Sequence, residues 1–352
     1  MQHIPYHESE MEVIGTFPAF SGEEPLPKIN TPITPKENYQ LFAAGKQPVW
    51  MPYGDCVNFN PAINPDNIAR AFVMEADVPP QKGGKDMFGV EWQYIEIAQG
   101  SMVVPGKPLL LDANDWKEII QFPDIASWAW DACAARNSVY LSDGELPVFI
   151  THFNGLFERL ISFMDFENAV VALIDEDQQD AVSGLFTALC DLYIDIMDHE
   201  IQYFHPTGIV FHDDWGSQQA PFFSPETYRT MILPHVQRLT KYCHEHQLIF
   251  ELHSCGHIDR LAPEMAKSGI DMWRPQPMND FDWLYENYGD QFRLGIRQPD
   301  FLPTSSDAEK EAAAKDLVSR YMRPEKCIYA TTRTPDPAYC AYLYRQSRCC
   351  NQ

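Results

Sequence analysis

Gly208-Ile209-Val210-Phe211-His212-Asp213-Asp214-Trp215-Gly216-Ser217 is an apolar run that ends in an imidazole and two carboxylates. Short, continuous and apolar, it reads as a strand covered on both faces. Ser224-Pro225-Glu226 then opens a helix, with Ser as cap and Pro at the first position. Tyr228, Met231, Ile232, Val236 and Leu239 keep helical spacing behind it. Leu248 to His253 is a strand again, Leu261 to Lys267 a helix, and Asp271-Met272-Trp273 a further short strand. Apolar strands separated by helices make parallel βαβ units.

Working outward, Pro147 to Thr151 is a strand, and Leu156 to Met164, Glu167 to Leu173 and Gln179 to Tyr203 are helices. Phe292 to Ile296 and Cys327 to Ala330 supply the last strands. An open doubly wound sheet shares this rhythm, but no glycine-rich phosphate loop follows any strand. Polar, site-like residues instead come off several strand ends. The expected fold is therefore α/β, a closed (β/α)8 TIM barrel with its site at the C-terminal ends of the strands.

Residues 1–35 are rich in Pro and Glu and lack periodicity, so they read as an extended N-terminal arm. It is suited to lie over the barrel or over a second subunit, and a homodimer is the matching expectation. Residues 36–352 form one barrel domain. Thr34-Pro35-Lys36-Glu37 starts its first helix, and Pro48-Val49-Trp50-Met51 is the expected first strand. An irregular, aromatic-rich insertion follows over 52–108, with a small hairpin at Gly89 to Ile95. Asp115 to Ile120 and Ile125 to Asn137 read as helices. An insertion of this length is expected to cover a site.

Of the 352 residues, 45% are hydrophobic and 22% charged, with 26 Lys and Arg against 50 Asp and Glu, a net charge of −24. This acidity disfavours nucleic acid and anionic membrane as partners. No apolar run is long enough to span a bilayer, and the first residues lack the pattern of a secretory signal. Nine cysteines, an odd number in a long chain, fit reduced thiols in a cytoplasmic protein better than a disulfide framework.

Four segments carry candidate chemistry. In Glu251-Leu252-His253-Ser254-Cys255-Gly256, strand alternation puts Glu251, His253 and Cys255 on one face. An imidazole and a thiolate together suit zinc; a satisfied core histidine beside an inert thiol is the structural alternative. His212, Asp213 and Asp214 follow a strand directly and are the candidate catalytic groups. Neighbouring side chains of an extended chain diverge, so one carboxylate faces the site while the other is free to cap a loop. His152 and Asn154 end another strand and are placed to bind substrate or to serve structure. Arg333, beside the last strand, meets an anion or a surface acid, and Trp50 and Tyr53 offer aromatic surface for a ring-bearing substrate or simple packing.

Together these segments resemble the uroporphyrinogen-decarboxylase-like superfamily. The resemblance is carried by Thr34-Pro35-Lys36-Glu37, Leu156-Phe157-Glu158-Arg159-Leu160, Asp213-Asp214-Trp215-Gly216-Ser217, Ser224-Pro225-Glu226, His253-Ser254-Cys255-Gly256 and Gly269-Ile270-Asp271. The decarboxylases hold substrate carboxylates with an Arg-Gln-Ala-Gly-Arg run, where this chain has Pro52-Tyr53-Gly54-Asp55-Cys56 and no arginine. The resemblance therefore implies the other branch, zinc-dependent O-demethylase-type methyltransferases that work with the methylcorrinoid of a separate cobalamin-binding protein. It implies Zn2+ at His253 and Cys255, with a third ligand from Cys340, Cys327 or Glu251. The methyl donor or acceptor is expected to be a small molecule, such as a methoxylated aromatic. Two alternatives stay open: a metal-free decarboxylase of a smaller acid, and a non-catalytic barrel that binds a ligand or the corrinoid protein.

Overall fold

The computed structural model describes residues 4–18, 27–76, 78, 82–97, 100–141, 144–323, 325–331 and 336–350. Its centre is a curled parallel sheet of seven strands: β1 (Val57–Asn58), β2 (Val148–His152), β3 (Gly208–His212), β4 (Ile249–His253), β5 (Met272–Trp273), β6 (Arg293–Arg297) and β7 (Tyr329–Thr331). They lie in chain order across the sheet, and every neighbouring pair is parallel. β2 is buried throughout, while β3 and β4 are buried except at their final histidines. Helices cover the outer side: α1 (Pro35–Ala43), α2 (Leu156–Met164), α3 (Gln179–Phe204), α4 (Leu233–Glu245), α5 (Asp307–Tyr321) and α6 (Pro337–Cys350). Phe149, Phe211 and Phe250 from the sheet and Leu189, Tyr193 and Ile196 from α3 belong to one continuous core.

The expected first strand, 48–51, is not a strand. Its ladder groups are taken by a side chain: Val49 N–H donates to Asn38 Oδ1 at 2.7 Å, and Asn38 Nδ2 donates to the Trp50 carbonyl at 2.9 Å. Seven strands therefore stand where eight were expected among the described residues. The irregular segment still meets the sheet, because Ala330 N–H of β7 donates to the Pro52 carbonyl at 2.8 Å.

The segment 52–108, expected as an irregular insertion, supplies β1 to the central sheet and is more regular than its sequence reads. It holds a short helix, Pro65–Ala69, and a three-stranded antiparallel sheet of Gly84–Lys85, Glu91–Ile95 and Gly100–Val103 where a single hairpin was expected. A buried ion cluster fastens it to α2: Arg159 Nη1 donates to Asp86 at 2.6 Å, and Nη2 pairs with Asp66. The helices read at 115–120 and 125–137 are shorter, Trp116–Ile119 and Trp130–Arg136. A π-turn at Tyr228–Ile232 precedes α4. Pro234, with no N–H to donate, stands at the second position of α4 and disturbs the bonding there. At the N-terminus, Val13–Thr16 pairs antiparallel with Pro27–Ile29.

Candidate functional site

The register of the central strands builds the site. His212 and His253 are direct partners at the ends of β3 and β4, and their rings stack with centroids 4.4 Å apart and planes at 22°. Asp214 lies two residues past His212, so it returns to the same side. One ligand atom from each of His212, Asp214 and His253 falls within 4.8 Å of the others. Burial holds the His253 imidazole down to about 3, helped by the neighbouring His212, and holds His212 down to about 4. Both are neutral at pH 7, the form that binds a metal.

The neighbours orient this group. Glu158 Oε2 meets His212 Nδ1 at 2.8 Å, so Nδ1 carries the proton and Nε2 the lone pair. The other Glu158 oxygen accepts from Arg70 Nη1 at 2.6 Å, and Arg70 also donates to Asn154 Oδ1 at 2.9 Å. Asp214 Oδ1 accepts the Cys255 N–H at 2.7 Å. Cys255 Sγ lies 3.7 Å from His253 Nε2 and accepts from Gln276 Nε2 at 3.1 Å. Burial, reinforced by Asp214, raises this thiol above its ordinary range.

Asp213 turns the other way. Its carboxylate accepts the N–H groups of Leu156, Phe157 and Glu158 at 2.8–3.1 Å, and the Trp215 indole at 2.8 Å. It thus satisfies the free donors at the start of α2 and fixes where Glu158 stands. Burial pushes its carboxyl up to about 7, with Glu158 adding to the rise and the donors opposing it. Gly155, immediately before α2, leaves room for this: a Cβ there would stand 2.5 Å from that of Asp213.

The other candidates lie elsewhere. His152 is buried against Glu200 of α3, Nε2 to Oε2 2.7 Å, between sheet and helix. Glu251 Oε1 accepts from Arg274 at 2.8 Å and from the Tyr329 hydroxyl at 2.7 Å. Neither Glu251 nor any cysteine falls within the three-residue group. Cys340 is buried against the arm, sharing a small cavity with Phe17, Ile29, Tyr53 and Asp55, and Cys327 points at the Ile328 carbonyl. Burial lifts both thiols to about 12. Trp50 is fully buried, tilted on Tyr344 at 5.3 Å, and donates to Asp55 at 3.2 Å, so it serves packing. Arg333 lies outside the described residues.

A cavity of about 800 Å3 adjoins the group and shares Asp214 with it. Arg70, Glu158 and Gly216 also line it, with Trp92 and Val103 from the small sheet and Ile161 and Phe222 opposite. Arg70, Glu158 and Gln276 were not singled out as site residues from sequence. Glu158 stood within a quoted motif, while Arg70 and Gln276 carried no signal of their own.

No protein-family model matches the chain, and no curated protein does. Among solved structures, a methyltransferase from Methanosarcina mazei superposes with a TM-score of 0.61 at 14% identity, over 90% of this chain and 98% of that one. The two share a fold over nearly their whole lengths. A family 10 endo-β-1,4-xylanase from Gloeophyllum trabeum follows at a TM-score of 0.37 and 12% identity, over 65% of this chain and 81% of that one. No helix among the described residues is long and apolar enough to cross a membrane.

Proposed function

We propose that this chain is a methyltransferase that moves a methyl group between a small methylated substrate and the corrinoid of a separate cobalamin-binding protein. The observation that carries the reading is Asp214, which belongs at once to the His212–Asp214–His253 group and to the wall of the cavity. The fold shared with the Methanosarcina mazei methyltransferase supports it. We read the sheet as part of a closed (β/α)8 barrel, with Pro52 and its neighbours in the eighth place, on the strength of the Ala330–Pro52 bond.

His212, Asp214 and His253 fit zinc in donor type and spacing, with Cys255 next to them. Bound there, zinc supplies a Lewis acid for the oxygen or sulfur that loses or gains the methyl group. Glu158 keeps the His212 ring in the ligating orientation. Gln276 holds Cys255 Sγ toward the group. Asp214 Oδ1 is occupied by the Cys255 N–H, which leaves Oδ2 to hold an ion. Trp92, Val103 and Phe222 exclude water around an apolar substrate body, as a methoxylated aromatic has.

Two measurements test the reading. Purified wild type is expected to carry about one zinc per chain, lost in a His212→Ala/His253→Ala variant that keeps its fold. Supplied with reduced corrinoid protein, the enzyme is expected to methylate cobalt from a methyl ether, seen as a change in the cobalamin spectrum. Failure of every methylated donor to alkylate the cobalt overturns the proposal.

A further inference from the structure

Glu158 is gripped from both sides. Its Oε2 meets His212 Nδ1 at 2.8 Å, and its Oε1 accepts from Arg70 Nη1 at 2.6 Å. The backbone fixes only where the residue starts, through the hold of Asp213 on the first turn of α2. The side chain itself lines the cavity, so an unrestrained carboxylate has open space to turn into. What keeps it on His212 comes from the insertion. Arg70 closes the short helix Pro65–Ala69, its N–H donating to the Asp66 carbonyl at 2.8 Å. Asp66 of the same helix pairs with Arg159, the residue after Glu158. Two adjacent residues of α2 and two residues one turn apart in the insertion thus form crossed ion pairs, Glu158 with Arg70 and Arg159 with Asp66.

Arg70 is buried, and its Nη1 carries the contacts. That nitrogen also donates to Asn154 Oδ1 at 2.9 Å, on a residue at a positive φ of 57°. The guanidinium lies over the Trp92 and Phe153 rings, 5.2 and 5.5 Å from their centres, and the Phe153 ring stands 5.1 Å from that of His212. Arg70 Nε and Asn154 Nδ2 are sealed in without a partner among the described residues. A guanidinium placed for stability alone is expected to satisfy that donor. Here Nε goes unmet while Nη1 serves two acceptors. We infer that Arg70 is a positioning residue for the ion group: it holds the Glu158 carboxylate on His212, which keeps the proton on Nδ1 and the lone pair on Nε2. The insertion thereby helps to build the ion site as well as to wall the cavity. The inference rests on the ion-binding part of the reading above and on no particular substrate.

The test is a double-variant cycle on the full-length protein, with zinc affinity read by competition with a chromophoric chelator. Arg70→Met keeps an unbranched side chain and removes the donor. It is expected to weaken zinc about tenfold, the low end for a group that holds a ligating histidine. Arg70→Lys keeps a charged donor without the planar fork and is expected to recover part of this, leaving a loss of about threefold. In a Glu158→Gln background either change at position 70 is expected to cost less than about twofold, because its route to the ion is already cut. Circular dichroism and a urea midpoint check that each protein folds; if Arg70→Met does not, the cycle is run with Arg70→Lys. Equal losses with and without Glu158→Gln overturn the inference, since a merely structural Arg70 weakens the site whatever stands at position 158. Wild-type affinity in the Arg70 variant used for the cycle overturns it too. A wild type that binds no zinc overturns the ion reading along with it, whereas tight zinc indifferent to Arg70 sinks this inference alone.

Discussion

Glu158 joins the two sides of the site, with one oxygen on His212 Nδ1 and the other on Arg70. Glu158→Gln keeps the size but weakens the hold on the imidazole. Zinc affinity is expected to fall about 10- to 100-fold, as is usual for the partner of a ligating histidine. Competition with a chromophoric chelator reads this directly, and an unchanged affinity would deny Glu158 its orienting role. Part of this candidate site is legible in the sequence: His253 and Cys255 are picked out by period-two spacing, and His212 by its place directly after an apolar strand. Alternation gives the face of a strand but not the depth. Glu251 shares a face with His253, yet it sits one layer deeper, where Arg274 and the Tyr329 hydroxyl both donate to its Oε1. Which of Asp213 and Asp214 turns to the site depends on register, and Glu158 reaches it only because Asp213 pins the start of α2. Cys340 is implied only by the family resemblance, as a substitute for its third ligand, and the chain leads it to the arm.

At the level of elements, the loops after β3 and β4 touch backbone to backbone. Gly256 has φ +102°, and a Cβ there would stand 2.3 Å from the Gly216 carbonyl carbon. Gly256→Ala is therefore expected to cost about 1–3 kcal/mol for the backbone strain alone, and more for pushing the loops apart. Because Cys255 and Asp214 ride on these two loops, zinc affinity should fall with stability. A urea midpoint close to wild type would show that the loops can part freely. A second pairing belongs to α4, where His244 Nε2 lies 3.1 Å from both oxygens of Asp271. The Asp271 hydrogen bond raises the His244 pKa against the opposing effect of burial. The folded value exceeds the unfolded one, so this stabilisation is complete below about pH 6.5 and fades as pH rises through the folded value. His244 is partly exposed, so the contribution is expected to be only about 0.5 kcal/mol. The stability gap between wild type and His244→Gln should shrink between about pH 5.5 and pH 8. A gap that widens over that range would contradict the assignment. The strand–helix rhythm around α4 was plain from its apolar spacing, whereas the irregular first segment was not. It reads as a strand until the side chain of Asn38, in the preceding helix α1, takes its hydrogen bonds.

Across the whole molecule, the two ends of the described chain are locked together by one buried ion pair. Arg348 of α6 donates to Glu10 through Nε at 2.7 Å and Nη2 at 2.8 Å, and Tyr344 adds a hydroxyl at 2.6 Å. The same guanidinium reaches the carbonyls of Ile4 and Pro5. Tyr344 packs on Trp50, and Trp50 adjoins the segment that meets β7, so the arm bears on the edge of the sheet. Arg348→Ala leaves Glu10 buried without its counter-charge, which is expected to cost about 3–5 kcal/mol. Glu10→Gln combined with Arg348→Met, which removes both charges and keeps volume, should recover most of that loss. The pH dependence separates an ion pair from simple packing. Burial alone would raise the Glu10 carboxyl, but Arg348, Tyr344 and the His7 N–H outweigh it and hold it below its ordinary value. The folded pKa is therefore the lower one, so the stabilisation is present above about pH 4.5 and is lost as pH falls through the folded value. Urea unfolding at stepped pH should show wild type and Arg348→Ala far apart at pH 6 and converging below about pH 4. If the gap stays constant on acidification, packing rather than charge holds the arm to α6. Because the arm lies far from the His212–Asp214–His253 group in connectivity and shares no residue with it, zinc affinity is expected to be unchanged in the folded variant. A parallel loss of zinc would mean that the arm's hold on the sheet edge sets the geometry of the strand ends as well.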